Sequence, residues 1–136
     1  MIVGIGIDGI EIARMHASIE RFGEHFLNRI FTAEEQAYCL KKQKKADESF
    51  AARFAAKEAG AKALGTGISR GVSWLEIEVT RAAGGRPELR FCGRAAEIAG
   101  RLGVCRAALS LTHTSALAMA SVVLEDASGP GGSAIL

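Results

Sequence analysis

The chain has 136 residues, 24% charged and 49% hydrophobic, with a formal net charge of +2, a balance that suits one packed domain and excludes a largely disordered polymer. So small a net charge excludes whole-molecule attraction to nucleic acid or an anionic membrane and leaves only local clusters to steer a partner. The start carries no basic segment followed by a long apolar run, so neither a signal peptide nor a membrane span is predicted.

In chain order, residues 2–7 alternate apolar side chains with glycine, the period of a strand with one covered face, and Asp8 closes it. Gly4-x-Gly6-x-x-Gly9 matches the dinucleotide-binding pattern, whose glycines should follow a strand and open a helix onto a pyrophosphate. Here they lie inside the strand, because Ile5 and Ile7 carry the alternation through them and Ile10-Glu11-Ile12 follows. That argues against a Rossmann-type oxidoreductase and for close approach of another backbone or a ligand to the strand.

Residues 13–22 place Met15, Ile19 and Phe22 at helical spacing with Arg14 and Arg21 elsewhere on the turn. Thr32-Ala33-Glu34-Glu35 reads as a capping box that starts a helix to about residue 42. The basic run at residues 41–45 is either a solvated turn or a contact for an acidic partner or phosphates. Asp47 is an N-cap candidate for the longest helix, residues 48–64, which Gly65-Thr66-Gly67 stops.

Leu75, Ile77 and Val79 against Glu76 and Glu78 predict a strand over residues 72–80, joined by a glycine-rich turn to a second over 88–92. A helix over 93–102 and strands over 106–112 and 117–125, joined around His113-Thr114-Ser115, complete the fold. Residues 1–125 are read as one domain and 126–136 as a flexible Gly/Ser/Pro tail. The mixture without strict β-α alternation predicts a single α+β domain, a mainly antiparallel sheet packed against a long helix. Cys39, Cys92 and Cys105 form no C-x-x-C pair and are read as small buried or half-buried hydrophobes of a protein in the reducing cytoplasm. His16 and His25 are read as surface residues.

The chemistry concentrates at Arg53-Phe-Ala-Ala-Lys57-Glu58-Ala-Gly-Ala-Lys62-Ala-Leu-Gly65-Thr66-Gly67. Glu58 and Lys62 are neighbours one turn apart on the flank of the apolar stripe, and position alone allows a helix-stabilising pair worth a few tenths of a kcal/mol, on the order of 0.3. The Gly-Thr-Gly turn adds a second option, backbone N–H groups and a hydroxyl offered to a phosphate without Cβ obstruction. It is not a Walker A loop, since the glycines follow a helix instead of leading into one. A hard cation bridging phosphates takes carboxylates, waters and substrate oxygens, and Asp8 at a strand end is a natural second donor. Spacing alone does not bring Asp8 beside Glu58.

Gly4-Ile-Gly-Ile-Asp8-x-Ile-Glu11-Ile-x-Arg14, Arg29-Ile-Phe31-Thr32-x-x-Glu35, the central block, and Leu109-Ser-Leu-Thr112-His113-Thr114 occur in order. Together they resemble the holo-acyl-carrier-protein synthase family of phosphopantetheinyl transferases over residues 1–125. Gly9 departs from the bulkier apolar residue usual after the aspartate.

The resemblance implies a phosphopantetheinyl transferase-like fold and transfer of 4'-phosphopantetheine from coenzyme A to a serine of an acyl carrier protein, with release of adenosine 3',5'-bisphosphate. It implies Mg²⁺, with Mn²⁺ as an alternative, held by Asp8 and Glu58. It implies that Lys62 acts with them, stabilising or protonating the departing phosphate. On the same resemblance Arg53, Lys62, Gly65, Thr66 and Gly67 are expected to bind coenzyme A and His113 to face its 3'-phosphate end, a structural histidine being the alternative there. Arg14 and Arg21 correspond to the docking helix for acidic carrier proteins, with solvated helix arginines as the alternative. A homotrimer with shared sites, serving fatty acid or polyketide biosynthesis, is implied as well. The competing reading is a non-catalytic coenzyme A or nucleotide binder on the same scaffold.

Overall fold

A computed structural model of the protein describes residues 1–128. The order is β1 (Ile2–Glu11), α1 (Ile12–Ile30), α2 (Ala33–Leu40), α3 (Ala46–Ala63), β2 (Ile77–Arg81), β3 (Pro87–Phe91), α4 (Gly93–Leu102), β4 (Val104–His113) and β5 (Leu117–Asp126), with 3₁₀ turns at Gln43–Lys45 and Trp74–Glu76. Strands β1, β5 and β4 form an antiparallel three-stranded sheet in that order, and β2 and β3 form a separate antiparallel hairpin. The expected α+β domain, antiparallel strands against one long helix, is therefore observed.

The glycines of β1 explain the seating of α3. A Cβ on Gly4 would overlap the carbonyl of Ala63, and one on Gly6 would overlap that of Ala59. Two glycines and an alanine-rich helix thus let helix backbone lie directly on strand backbone. Ala55, Ala56, Ala59 and Ala61 are buried there with Val122 and Leu124 of β5 and Ile77 and Val79 of β2. A second apolar cluster joins Met15, Leu27 and Ile30 of α1 to Phe31, Cys39 and Phe50, the two phenylalanine rings lying 4.9 Å apart.

Several boundaries differ from the sequence expectation. Asp8 does not end β1, since pairing with β5 continues through Asp8↔Ala120 to Glu11↔Leu117. Helix α1 runs past residue 22 to Ile30 across a break at Gly23, whose φ of 57° and ψ of −137° redirect the axis. Asp47 is not the N-cap of α3: Lys45 holds that position, and Asp47 sits in the first turn with its carboxylate on Nδ1 of His16 at 2.5 Å. Trp74 to Glu76 is a 3₁₀ turn closed by a Ser73–Glu76 capping box, so the alternation at Leu75 precedes the strand. Cys39 is buried as expected, but Cys92 and Cys105 are exposed. Asp126 belongs to β5, and its carboxylate takes the N-terminal ammonium at 3.0 Å. The rest of the tail, residues 129–136, lies outside the described residues.

Candidate active site

The even-numbered positions of β1 face α3, as Gly4 and Gly6 do, and this parity carries Asp8 to the same side. Glu58 projects from α3 toward it. Both carboxylates line one groove of about 500 Å³ with Arg14, Phe26, Phe54 and Trp74. Lys62 reaches across to the strand, donating to Asp8 Oδ1 at 2.8 Å and to the Ile7 carbonyl at 3.1 Å. The partner of Lys62 is thus Asp8 on the strand instead of Glu58 one turn back.

Partial burial pushes the Glu58 carboxyl above its ordinary value, and the neighbouring Asp8 charge acts in the same direction. The Trp74 N–H, 3.3 Å from Glu58 Oε1, and the Lys62 charge oppose that rise. A half-buried carboxylate with a second carboxylate beside it is a setting that a divalent cation relieves. Among the described residues no cluster of three or more His, Cys, Asp or Glu side chains is grouped to hold a metal. Asp8 and Glu58 offer two carboxylates, a pair that would fit a hard cation completed by substrate oxygens and water.

The loop after α3 is built differently from the expected amide clamp. Thr66 and Gly67 both donate their N–H groups to the Ala61 carbonyl, at 3.2 and 3.1 Å, and the Thr66 hydroxyl points to the same oxygen at 3.4 Å. The amides terminate the helix and are committed there. Gly65 and Gly67 adopt φ of 85° and 64°, and a Cβ on either would meet no atom within 4 Å. What the loop offers is open, unobstructed space, and Gly67 shares a second groove with Glu58, Arg29 and Trp74.

Arg53 and His113 meet elsewhere. They line a cavity of about 250 Å³ with Tyr38, Lys42, Lys45, Glu48 and Arg81. Arg53 is buried, anchored on Ser49 Oγ at 3.0 Å, and its guanidinium lies 4.1 Å from the Tyr38 ring centroid. His113 is half exposed, its Nδ1 3.9 Å from Glu48 Oε2. Lys42 and Lys45, from the basic run that the sequence left open, turn out to line this cavity, while Tyr38 and Arg81 carried no sequence signal. Arg53 and Glu58 are five residues apart, about 140° around the helix at 100° per residue. With β1 and β4 on opposite edges of the sheet, α3 stands between the carboxylate groove and the basic cavity. Of the two helix arginines, Arg14 lines the carboxylate groove. Arg21 is exposed, its guanidinium 5.1 Å from the Phe22 ring.

Residues 4–119 match the 4'-phosphopantetheinyl transferase superfamily. The chain belongs to that superfamily. A holo-[acyl-carrier-protein] synthase of Koribacter versatilis is 55% identical over 126 residues, 93% of this chain and 100% of the relative. One from Solibacter usitatus is 52% identical over the same length and the same shares. Among solved structures, the holo-[acyl-carrier-protein] synthase of Neisseria meningitidis superposes with a TM-score of 0.82 at 38% identity, covering 93% of this chain and 100% of that one. The Bacillus anthracis synthase, in complex with CoA (3',5'-ADP), gives 0.76 at 39% identity over 93% and 98%. The superfamily match spans both Asp8 in β1 and His113 at the end of β4.

Proposed function

We propose that the protein is a holo-acyl-carrier-protein synthase, transferring 4'-phosphopantetheine from coenzyme A to a serine hydroxyl of an apo-acyl carrier protein. The observation that carries this reading is the convergence of Asp8 and Glu58 on one groove, with Lys62 bonded to Asp8, in a chain similar over 93% of its length to synthases of that name. In the reaction the serine oxygen forms a bond to the β-phosphorus, the bridging P–O bond to the α-phosphate breaks, and adenosine 3',5'-bisphosphate departs with that electron pair. The serine proton leaves to solvent or to a groove carboxylate.

Asp8 and Glu58 are the residues that would hold Mg²⁺, or Mn²⁺ in its place. When bound, the ion supplies charge neutralisation and alignment of the phosphates. Lys62 contributes a mobile positive charge for the departing phosphate, and Gly65 to Gly67 leave room for the diphosphate to pass. Arg53, Lys42, Lys45 and Arg81 provide a cationic wall, with His113 beside it, suited to the 3'-phosphate end of coenzyme A. Arg14 at the groove and Arg21 further along α1 suit an acidic carrier by electrostatic steering.

Assembly as a homotrimer supports the same chemistry. The carboxylate groove and the basic cavity lie on opposite flanks of α3, so a second copy can bring one to the other. The outward face of the sheet carries Ile5 and Ile7, 65% and 58% exposed, beside Val123 and Ser121 of β5, an apolar surface suited to burial between copies. No helix among the described residues is long and apolar enough to cross a membrane, and we assign the protein to the cytoplasm, in fatty acid or polyketide biosynthesis.

The test incubates the protein with coenzyme A, Mg²⁺ and a panel of apo-carrier proteins. Intact-mass spectrometry should find a carrier heavier by one phosphopantetheine. Coenzyme A binding with no mass shift on any carrier would leave the non-catalytic binder as the function.

A further inference from the structure

Lys57, the residue before Glu58, is fully buried in the core, as is its partner Glu35, with Nζ and Oε1 2.6 Å apart. Ala55, Ala56, Ala59 and Ala61 are buried around it on α3. A core position of this kind usually takes an aliphatic side chain, and a buried ion pair is poor evidence of a contribution to stability alone.

The other bonds of the ammonium indicate a use. It donates to the carbonyls of Trp74 at 3.1 Å, where the 3₁₀ turn begins, and of Ile77 at 2.8 Å, the first residue of β2, which with Glu35 satisfies its three donors. Glu35 is fixed in turn, its Oε2 accepting from Val79 N at 2.7 Å and its Oε1 from Thr32 N at 2.8 Å. The side chain of Trp74 leaves the turn on the groove side. There the indole stacks on Phe54, with centroids 6.1 Å apart, and donates to Glu58 Oε1 at 3.3 Å. Consecutive helix residues thus hold Trp74 at both ends: Lys57 by its main-chain carbonyl, Glu58 by its indole.

We propose that the buried Lys57–Glu35 pair is a positioning device for Glu58: by fixing the 74–77 turn it aims the Trp74 N–H at one carboxylate oxygen and leaves the other oriented toward the groove. The role of Glu58 as a metal ligand rests on the function proposed above. The Lys57–Trp74–Glu58 linkage does not. Outer-sphere partners of ligating carboxylates typically change metal affinity or activity by about 10- to 100-fold when removed.

Trp74 is the only tryptophan in the chain, so its fluorescence reads the linkage without turnover. Glu58→Gln defines the emission change that follows loss of the charged acceptor. Lys57→Met, and the charge-free pair Glu35→Gln with Lys57→Met, should change Trp74 emission in the same direction although Glu58 is retained. They should also weaken Mn²⁺ binding, read from the free-ion EPR signal, by about tenfold, and lower kcat with KM for coenzyme A nearly unchanged. Parental Trp74 emission and Mn²⁺ affinity in the folded charge-free pair would overturn the proposal. If neither variant folds, Trp74→Phe decides it, because phenylalanine keeps the stack on Phe54 and lacks the N–H. Weakened Mn²⁺ binding by Trp74→Phe supports positioning through the indole, and parental binding refutes it. A parent chain that transfers nothing refutes the transferase reading alone, since the emission comparison still decides the linkage.

Discussion

The carbonyl oxygen of Ala59 occupies the space that a Cβ on Gly6 would fill. One methyl group there must push α3 off β1, and with it Glu58 away from Asp8. Gly6→Ala is expected to destabilise the fold by about 1–3 kcal/mol, the usual range for overpacking, and to cut transfer more than stability alone explains. Gly9→Ala is the control, since its Cβ would meet Met119 Cγ at an ordinary 3.4 Å. It should stay within about 0.5 kcal/mol of the parent in urea denaturation.

Asp8→Asn and Glu58→Gln should each lower kcat by about 100-fold or more, a metal's charge stabilisation being worth several kcal/mol. Their circular dichroism should remain that of the parent. Lys62→Met should also lower kcat, and because it removes the ammonium now bonded to Asp8, Mn²⁺ binding should not weaken with it. Initial rates of carrier mass gain, paired with EPR titration, separate the three.

Arg53→Ala and His113→Ala should weaken coenzyme A more than dephospho-coenzyme A, which lacks the 3'-phosphate. Charge-assisted hydrogen bonds of about 1.5–3 kcal/mol predict a discrimination of roughly 10- to 100-fold for Arg53, the buried member of the pair, and less for the half-exposed His113. Equal loss toward both coenzymes would move the 3'-phosphate away from this cavity.

Charge reversal at Arg14 or Arg21 should raise KM for an acidic carrier several-fold, with KM for coenzyme A unchanged. The effect should shrink as salt is added, as expected of exposed steering charges. Arg14, at the groove, should also affect kcat. Arg21, against Phe22, should not.

His16 ties α1 to the start of α3 through Asp47, and that hydrogen bond, reinforced by the Asp47 charge, raises the imidazole above its ordinary value of 6.5. The folded state therefore holds this proton more tightly than the unfolded chain. The contribution is complete below pH 6.5 and disappears as pH rises through the folded-state value. Thermal melts of the parent and Asp47→Asn should accordingly differ most below pH 6.5 and converge as pH rises above it.

How much of this was legible in the sequence follows from the range of each interaction. The capping box at Thr32 and Glu35, the helix at Gly93–Leu102 and the antiparallel order of the last strands rest on bonds between near neighbours, so local pattern predicts them. The central motif likewise marked Glu58 and Lys62 through family resemblance. The helix break at Gly23 and the 3₁₀ turn at Trp74 went unread, because each mimics a helix end or a strand alternation over a few residues.

The sequence by itself determined that the glycines of β1 serve a close approach, since alternation through Ile5 and Ile7 left them no role at a helix start. Tertiary structure decided what approaches: the backbone of α3, at Ala59 and Ala63, which brings Asp8 to Glu58 and sends Lys62 across to the strand. It also decided that Arg53 and His113 stand on the other flank of the helix. A hydrogen bond between residues 54 positions apart depends on where a helix lands on a sheet, and only the summed packing of the core sets that.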